Sequence, residues 1–133
     1  MMIPLPGSFH DLLHEKKALA HLATLLPDGS PHVTPVWFDV CEGKIRVNIV
    51  RGRVKARNML RDARVALSVA DPDNPDRYIQ IRGLVTRVTD DGAVMHNNAL
   101  TRKYYGLDTY PWDKPGDAHV IFEIEPTAVH TLG

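Results

Sequence analysis

The chain has 133 residues, 44% of them hydrophobic, and is formally neutral with 16 Lys and Arg against 16 Asp and Glu. That size fits a single domain over residues 1–133 with a core that needs no disulfide, and the composition excludes wholesale disorder. Neutrality argues against a nucleic-acid binder, whose phosphate contacts demand a basic excess, and no apolar run approaches the roughly 18 residues of a membrane span.

The N-terminal Met1-Met2-Ile3-Pro4-Leu5-Pro6 lacks the basic region and apolar core of a signal peptide, so a cytoplasmic location is expected. Ser8, with Asp11 three residues later, resembles a capping box and predicts a short helix over Phe9 to Lys16. Ala18 to Leu26 reads as a strand stopped by the turn residues Pro27-Asp28-Gly29-Ser30. A second strand, Pro31 to Val40, is rich in Val, Thr and aromatics, and Glu42-Gly43 turns the chain into a third. Cys41, at that turn, has no partner for an internal disulfide, which suits a reducing compartment. The third strand alternates, with Ile45, Val47 and Ile49 on one face and Arg46 and Asn48 on the other. Two helical turns from Arg53 to Arg61 follow, then a fourth strand over Arg64 to Ala70 with Val65, Leu67 and Val69 inward.

Asp71-Pro72-Asp73-Asn74-Pro75-Asp76 predicts a solvated loop, since its prolines and acids suit neither helix nor strand. A long strand runs from Arg77 to Thr89, with Gly83 marking a bulge or bend. Asp91 to Tyr105 is the one longer helix, with Val94, Ala99 and Leu100 among its apolar positions. Leu107 to Asp117 is irregular, and His119 to Glu125 closes the series as a strand. Tight turns between short strands favour antiparallel pairing, and the whole predicts a mainly β (α+β) fold, a small barrel with peripheral helices.

One segment is badly arranged for stability alone. Between Arg51 and Arg64 lie Arg51, Arg53, Lys55, Arg57, Arg61 and Arg64, opposed only by Asp62. Arg53, Arg57 and Arg61 repeat at four-residue spacing, so like charges stack along a helix flank. Arg53 and Lys55 also fall in the first turn, where the helix dipole favours anions. A bound anion reverses these signs. Gly52 admits close approach, free N–H groups of the first turn point outward, and Arg53 and Lys55 supply donors suited to phosphate oxygens. Neither a Walker loop nor a GxGxxG fingerprint is present. The competing account is a solvated basic face offset by acids such as Asp71, Asp73 and Asp76.

The other candidates read more plainly. His10 and His14 share a helix face without an HExxH context, and the remaining histidines show no ligand spacing, so no metal is expected. The prolines among Asp71, Asp73 and Asp76 spoil a calcium loop. Of Trp37 and Phe38, one must face the core of an alternating strand. Trp112 suits either a lid over a substrate or packing against the barrel or a partner.

Several of these stretches carry a family likeness. His32-Val33-Thr34-Pro35-Val36-Trp37-Phe38, after the Pro27-Asp28-Gly29 turn, resembles the second-strand motif of the pyridoxamine 5′-phosphate oxidase-like split-barrel flavoproteins. Gly52-Arg53-Val54-Lys55-Ala56-Arg57-Asn58 resembles their phosphate-binding helix start. Asp71-Pro72-Asp73-Asn74-Pro75, Arg77 to Gly83, Tyr104-Tyr105-Gly106 and Tyr110-Pro111-Trp112 are similar to the branch that uses the deazaflavin coenzyme F420. The resemblance implies a split β-barrel homodimer with cofactor sites at the subunit interface. It implies that Arg53, Lys55 and Asn58 hold the cofactor phosphate, with Arg57 nearby, while His32, Thr34, Asn48 and Val50 line the ring and its linker. It further implies that Tyr78, Ile79, Gln80 and Arg82 reach in from the partner subunit, and no residue matches an agreed catalytic acid or base.

The function expected on these grounds is an F420-dependent oxidoreductase passing hydride between the deazaflavin and a small organic acceptor, unsaturated or quinone-like. FMN is the alternative cofactor, and a non-catalytic F420 or flavin carrier is the alternative role.

Overall fold

The period of two that marks Ile45, Val47 and Ile49 places all three in the core of β4 (Lys44–Val50), with half-buried neighbours between them. The same period buries Val65, Leu67 and Val69 of β5 (Arg64–Asp71) and Ile79 and Ile81 of β6 (Asn74–Thr89). The computed structural model describes residues 2–133. Its other strands are β1 (Ala20–Leu25), β2 (Pro31–Val36), β3 (Asp39–Cys41) and β7 (His119–Leu132). All seven form one antiparallel sheet in the order β2-β1-β5-β6-β7-β4-β3, a mainly β fold as expected. The two helices are α1 (Val54–Arg61) and α2 (Ala93–Tyr105).

The sheet curls around a single core that includes Leu22, Val36, Val47, Leu67, Ile81 and Phe122. Its ends do not pair: β2 lies at one edge and β3, beside β4, at the other. Helix α1 packs on both β1 and β4, sending Ala56 and Met59 into the core. The helix therefore spans the gap, and the start of α1 stands where the barrel is open. Among the described residues no helix is long and apolar enough to cross a membrane.

Four expectations need correction. The stretch from Phe9 to Lys16 is not a capped helix but a 3-10 turn (Gly7–Phe9) followed by a single π turn (Asp11–Glu15). No Ser8 side chain caps it; Asp11 pairs instead with Arg77 at 2.9 Å, because a guanidinium offers a carboxylate more than a backbone cap does. The second strand ends at Val36, where the chain leaves the sheet so that Phe38 enters the core and Trp37 stacks on Tyr104.

The segment from Asp71 to Asp76 is not a solvated loop. Only Pro72 and Asp73 turn, β6 starts at Asn74, and the Asp71 side chain is 3% exposed between Lys16 and Arg77. Those two cations and the Asp73 N–H supply the compensation that a buried carboxylate needs. Finally, β7 continues past Glu125 to Leu132. Opposite Gly83 the pairing shifts so that Gly83 faces Pro126 and Arg82 faces Ala128, leaving Thr127 as an extra residue. A bulge there accommodates a proline that has no N–H to donate.

Candidate functional site

The open side of the barrel forms a cleft of about 350 Å³ between the ends of β2 and β4, the start of α1 and the irregular segment before β7. One wall is cationic. Gly52, with φ of 91° and no atom within 4 Å of an added Cβ, turns the chain from β4 into α1, and Arg53 stands at the N-cap in extended conformation. The first turn of α1 has no acid and no side-chain cap, so its outward N–H groups are free. Arg53 and Lys55 line the cleft, and among the described residues neither they nor Arg57 reach a carboxylate. Lys55 is half-buried; burial first, and the neighbouring Arg53 second, hold its ammonium below the ordinary lysine range.

The other wall is aromatic. Trp37 and Tyr110 line the cleft, with the Trp37 ring 5.2 Å from that of Tyr104 and only 7° from parallel. Tyr105 and Trp112 extend the array to the rim, and Trp112 packs against both Tyr105 and Tyr110 while 48% of it stays exposed. Tyr104 anchors the array: its hydroxyl donates to the Ala18 carbonyl at 2.6 Å, and burial pushes its pKa up to about 12.

The floor is a chain of polar side chains. Asn48 donates to the Ala93 carbonyl at 2.8 Å and faces His96 Nδ1 at 3.1 Å, while its Oδ1 lies 2.7 Å from His119 Nδ1. His96 Nε2 in turn meets Asp39 Oδ1 at 3.0 Å, and Arg46 grips Asp39 with two bonds of 2.9 and 2.7 Å. Burial pushes Asp39 up, but the bonds from His96 and Arg46 outweigh it and hold the carboxyl below its usual range.

Of the residues singled out in the sequence, Asn48, Val50, Arg53 and Lys55 meet at this cleft. His32 and Thr34 lie on the inward face of β2, four and two residues before the cleft-lining Val36. Their Nδ1 and Oγ1 atoms are buried without a hydrogen-bond partner. Arg57 is exposed on α1. Asn58 turns inward, donating to Thr24 Oγ1 at 3.0 Å and accepting from Arg61 at 2.8 Å, so its amide braces α1. Ile79 has a fully buried side chain, and its backbone sits between β5 and β7. Tyr78, Gln80 and Arg82 alternate with it on the outer face of the sheet, away from the cleft of their own chain.

Sequence reasoning missed Asn97, Tyr110 and His119 as cleft residues. His119 reaches the cleft because β7 begins opposite Val50, a pairing that no local pattern announces.

Fold and cleft together define a small antiparallel β-barrel whose split side joins a cationic helix start to an aromatic wall. The chain belongs to the pyridoxamine 5′-phosphate oxidase family, whose pattern matches residues 7–133. It is similar to a solved F420 reductase at 36% identity, over 95% of this chain and 98% of that one, with a TM-score of 0.81. It shares its fold with a conserved hypothetical protein of Mycobacterium tuberculosis (23% identity, 98% and 86% of the chains, TM-score 0.75). General Stress Protein 26 of Bacillus anthracis has the same fold (19% identity, 90% and 88% of the chains, TM-score 0.66). No curated protein matches the chain.

Proposed function

We propose that the protein is an oxidoreductase that holds a flavin-type cofactor in this cleft, with F420 preferred over FMN, and passes hydride to a small unsaturated or quinone-like acceptor. The carrying observation is the half-buried Lys55, beside Arg53 at an uncapped helix start, with no carboxylate to compensate either. The orphaned His32 Nδ1 and Thr34 Oγ1 on the adjoining strand are what a polar ligand would satisfy. Arg53, Lys55 and the first N–H groups of α1 would hold the phosphate, His32, Thr34 and Asn48 the polar parts beyond it, and Val50 an apolar face. A bound deazaflavin or flavin supplies the two-electron hydride chemistry. The chain's own residues bind, orient and exclude water. Trp37 and Tyr110 present flat faces on which a conjugated acceptor can stack. The preference for F420 is supported by the likeness to the F420 reductase.

The same reading includes a homodimer. The outer face of the sheet brings together Ala23, Val33, Ala66, Ser68 and Gln80 in a shallow depression, and Val33 is 57% exposed. Small side chains allow a second sheet to approach closely, and Tyr78, Gln80 and Arg82 on this face would enter the partner's cleft. Exposed, unpaired Cys41 suits a reducing cytoplasm.

The test is a pair of fluorescence titrations of cofactor-stripped protein with F420 and with FMN. Tighter binding of F420, followed by acceptor-dependent oxidation of its reduced form, is expected. Tighter binding of FMN moves the protein to the flavin side of the family, binding without turnover makes it a carrier, and binding of neither overturns the reading.

A further inference from the structure

The floor of the cleft holds one proton more than neutral histidines and ionised carboxylates account for. The Ala93 carbonyl can only accept, so the amide nitrogen of Asn48 must face it, 2.8 Å away. The second amide hydrogen then points to His96 Nδ1 at 3.1 Å, and His96 carries its own proton on Nε2, towards Asp39 at 3.0 Å. That half of the chain is satisfied with a neutral His96. The other half is not. Asn48 turns its oxygen to His119, so Nδ1 of His119 must donate across 2.7 Å. Its Nε2 lies 2.6 Å from Asp113 Oδ1, which also accepts when ionised. Two hydrogens are therefore needed on the two ring nitrogens, or the second sits on Asp113; in either form the pair carries one extra proton.

The geometry points to the His119–Asp113 pair as the proton store of the reductive reaction, an inference that rests on the oxidoreductase reading above. His119 forms part of the cleft wall with its side chain 7% exposed, whereas the Asp113 side chain is 43% exposed and in touch with solvent. Reduction of a conjugated acceptor adds a hydride at one carbon and a proton where the resulting charge rests. The hydride's electron pair comes from the reduced cofactor, which is oxidised by two electrons as the acceptor is reduced by two. The proton leaves the pair, which remains as a singly protonated His119 and an ionised Asp113 and is recharged from solvent through Asp113. The charged and titratable groups around it are Arg53 and Lys55 across the cleft from α1, His96 from α2 through Asn48, and Tyr110, Asp113 and Asp117 on its own segment. Asn48 itself does not titrate, so it fixes the direction of the His119 bond without consuming the proton.

Asp113→Asn removes the extra proton while keeping the bond, because the new amide can donate to His119 Nε2. The experiment counts ring protons by 15N-edited NMR of cofactor-free protein and measures binding and turnover of the loaded protein. In the wild type, either both His119 nitrogens or one of them plus the Asp113 carboxyl are expected to bear hydrogen. In Asp113→Asn only His119 Nδ1 does. Cofactor affinity is expected to change less than about twofold, while acceptor-dependent oxidation falls roughly 100-fold, with the solvent isotope effect on turnover rising. A singly protonated His119 beside an ionised Asp113 in the wild type overturns the proton store alone, as does an Asp113→Asn variant with the wild-type rate. Failure of the wild type to bind either cofactor overturns the oxidoreductase reading and the role in turnover with it.

Discussion

Gly83 lies against Glu125 so closely that a Cβ at position 83 would stand 2.6 Å from the Glu125 carbonyl oxygen and 2.7 Å from Ile124 Cγ2. Both neighbours are held, one by the backbone and the other in the core, so neither can yield cheaply. Gly83→Ala is therefore expected to destabilise the fold by about 1–3 kcal/mol, read from denaturant midpoints. Ala at Gly7, which has open space around it, is the control and is expected to change little.

The Asp11, Asp71, Lys16 and Arg77 cluster ties the N-terminal turns to the β5–β6 hairpin and predicts an acid transition. Arg77 holds Asp11 at about 2, and Lys16, the Asp73 N–H and Arg77 hold Asp71 well below the usual carboxylate range. Both folded values lie below the unfolded ones. Their contribution is thus complete above about pH 4 and is lost as the pH falls through the folded values. Asp71→Asn is expected to lower the melting temperature at pH 7 and to flatten its dependence on pH below about 4. An unchanged slope would assign the acid transition to other carboxylates.

What could be read from the chain was whatever a local pattern encodes. The alternation of Ile45, Val47 and Ile49 placed β4, and the misplaced cations at Arg53 and Lys55 marked the cleft before any fold was known. What could not be read depends on a partner distant in sequence. Asp71 looked like part of a polar turn because nothing nearby reveals that Lys16, 55 residues away, covers it. The bond of Asn58 to Thr24 exists only once α1 packs on β1, so no local pattern announces it. Val94 illustrates the same point: apolar in sequence, it is 66% exposed, while His96, Asn97 and Thr101 take the buried face of α2.

Lys55 and Arg53 predict a separation of stability from binding. Removing either cation relieves a repulsion, and for Lys55 a desolvation, so Lys55→Ala and Arg53→Ala are expected to melt at or slightly above the wild-type temperature. Each loses charge-assisted bonds to the phosphate, worth about 1.5–3 kcal/mol, or roughly 10- to 100-fold in affinity. Because the Lys55 ammonium is held below the ordinary range, its charge is lost earlier on the alkaline side than that of an ordinary lysine. Anion affinity should fall as the pH rises through that lowered value, and Lys55→Arg should abolish this fall by keeping the charge. Fluorescence titrations across pH decide it; normal binding by either alanine variant would place the anion elsewhere.

The outer face of the sheet predicts that binding and assembly fail together. Ala66 stands in the shallow depression with Ala23, Val33, Ser68 and Gln80, its side chain directed away from the core that Val65 and Leu67 enter. An arginine at that position would keep strand β5 intact but hold a facing sheet away. Ala66→Arg is expected to be a monomer in light scattering with a nearly unchanged melting temperature. It is also expected to lose cofactor affinity, since Tyr78, Gln80 and Arg82 lie away from the cleft of their own chain and, in the proposed dimer, would serve that of the partner. If the wild type is itself monomeric and binds cofactor fully, the cleft is complete within one chain and the outer face has another use. If Ala66→Arg is monomeric yet binds normally, the dimer stands while its role in the site falls, because the three β6 side chains then contribute nothing to the ligand.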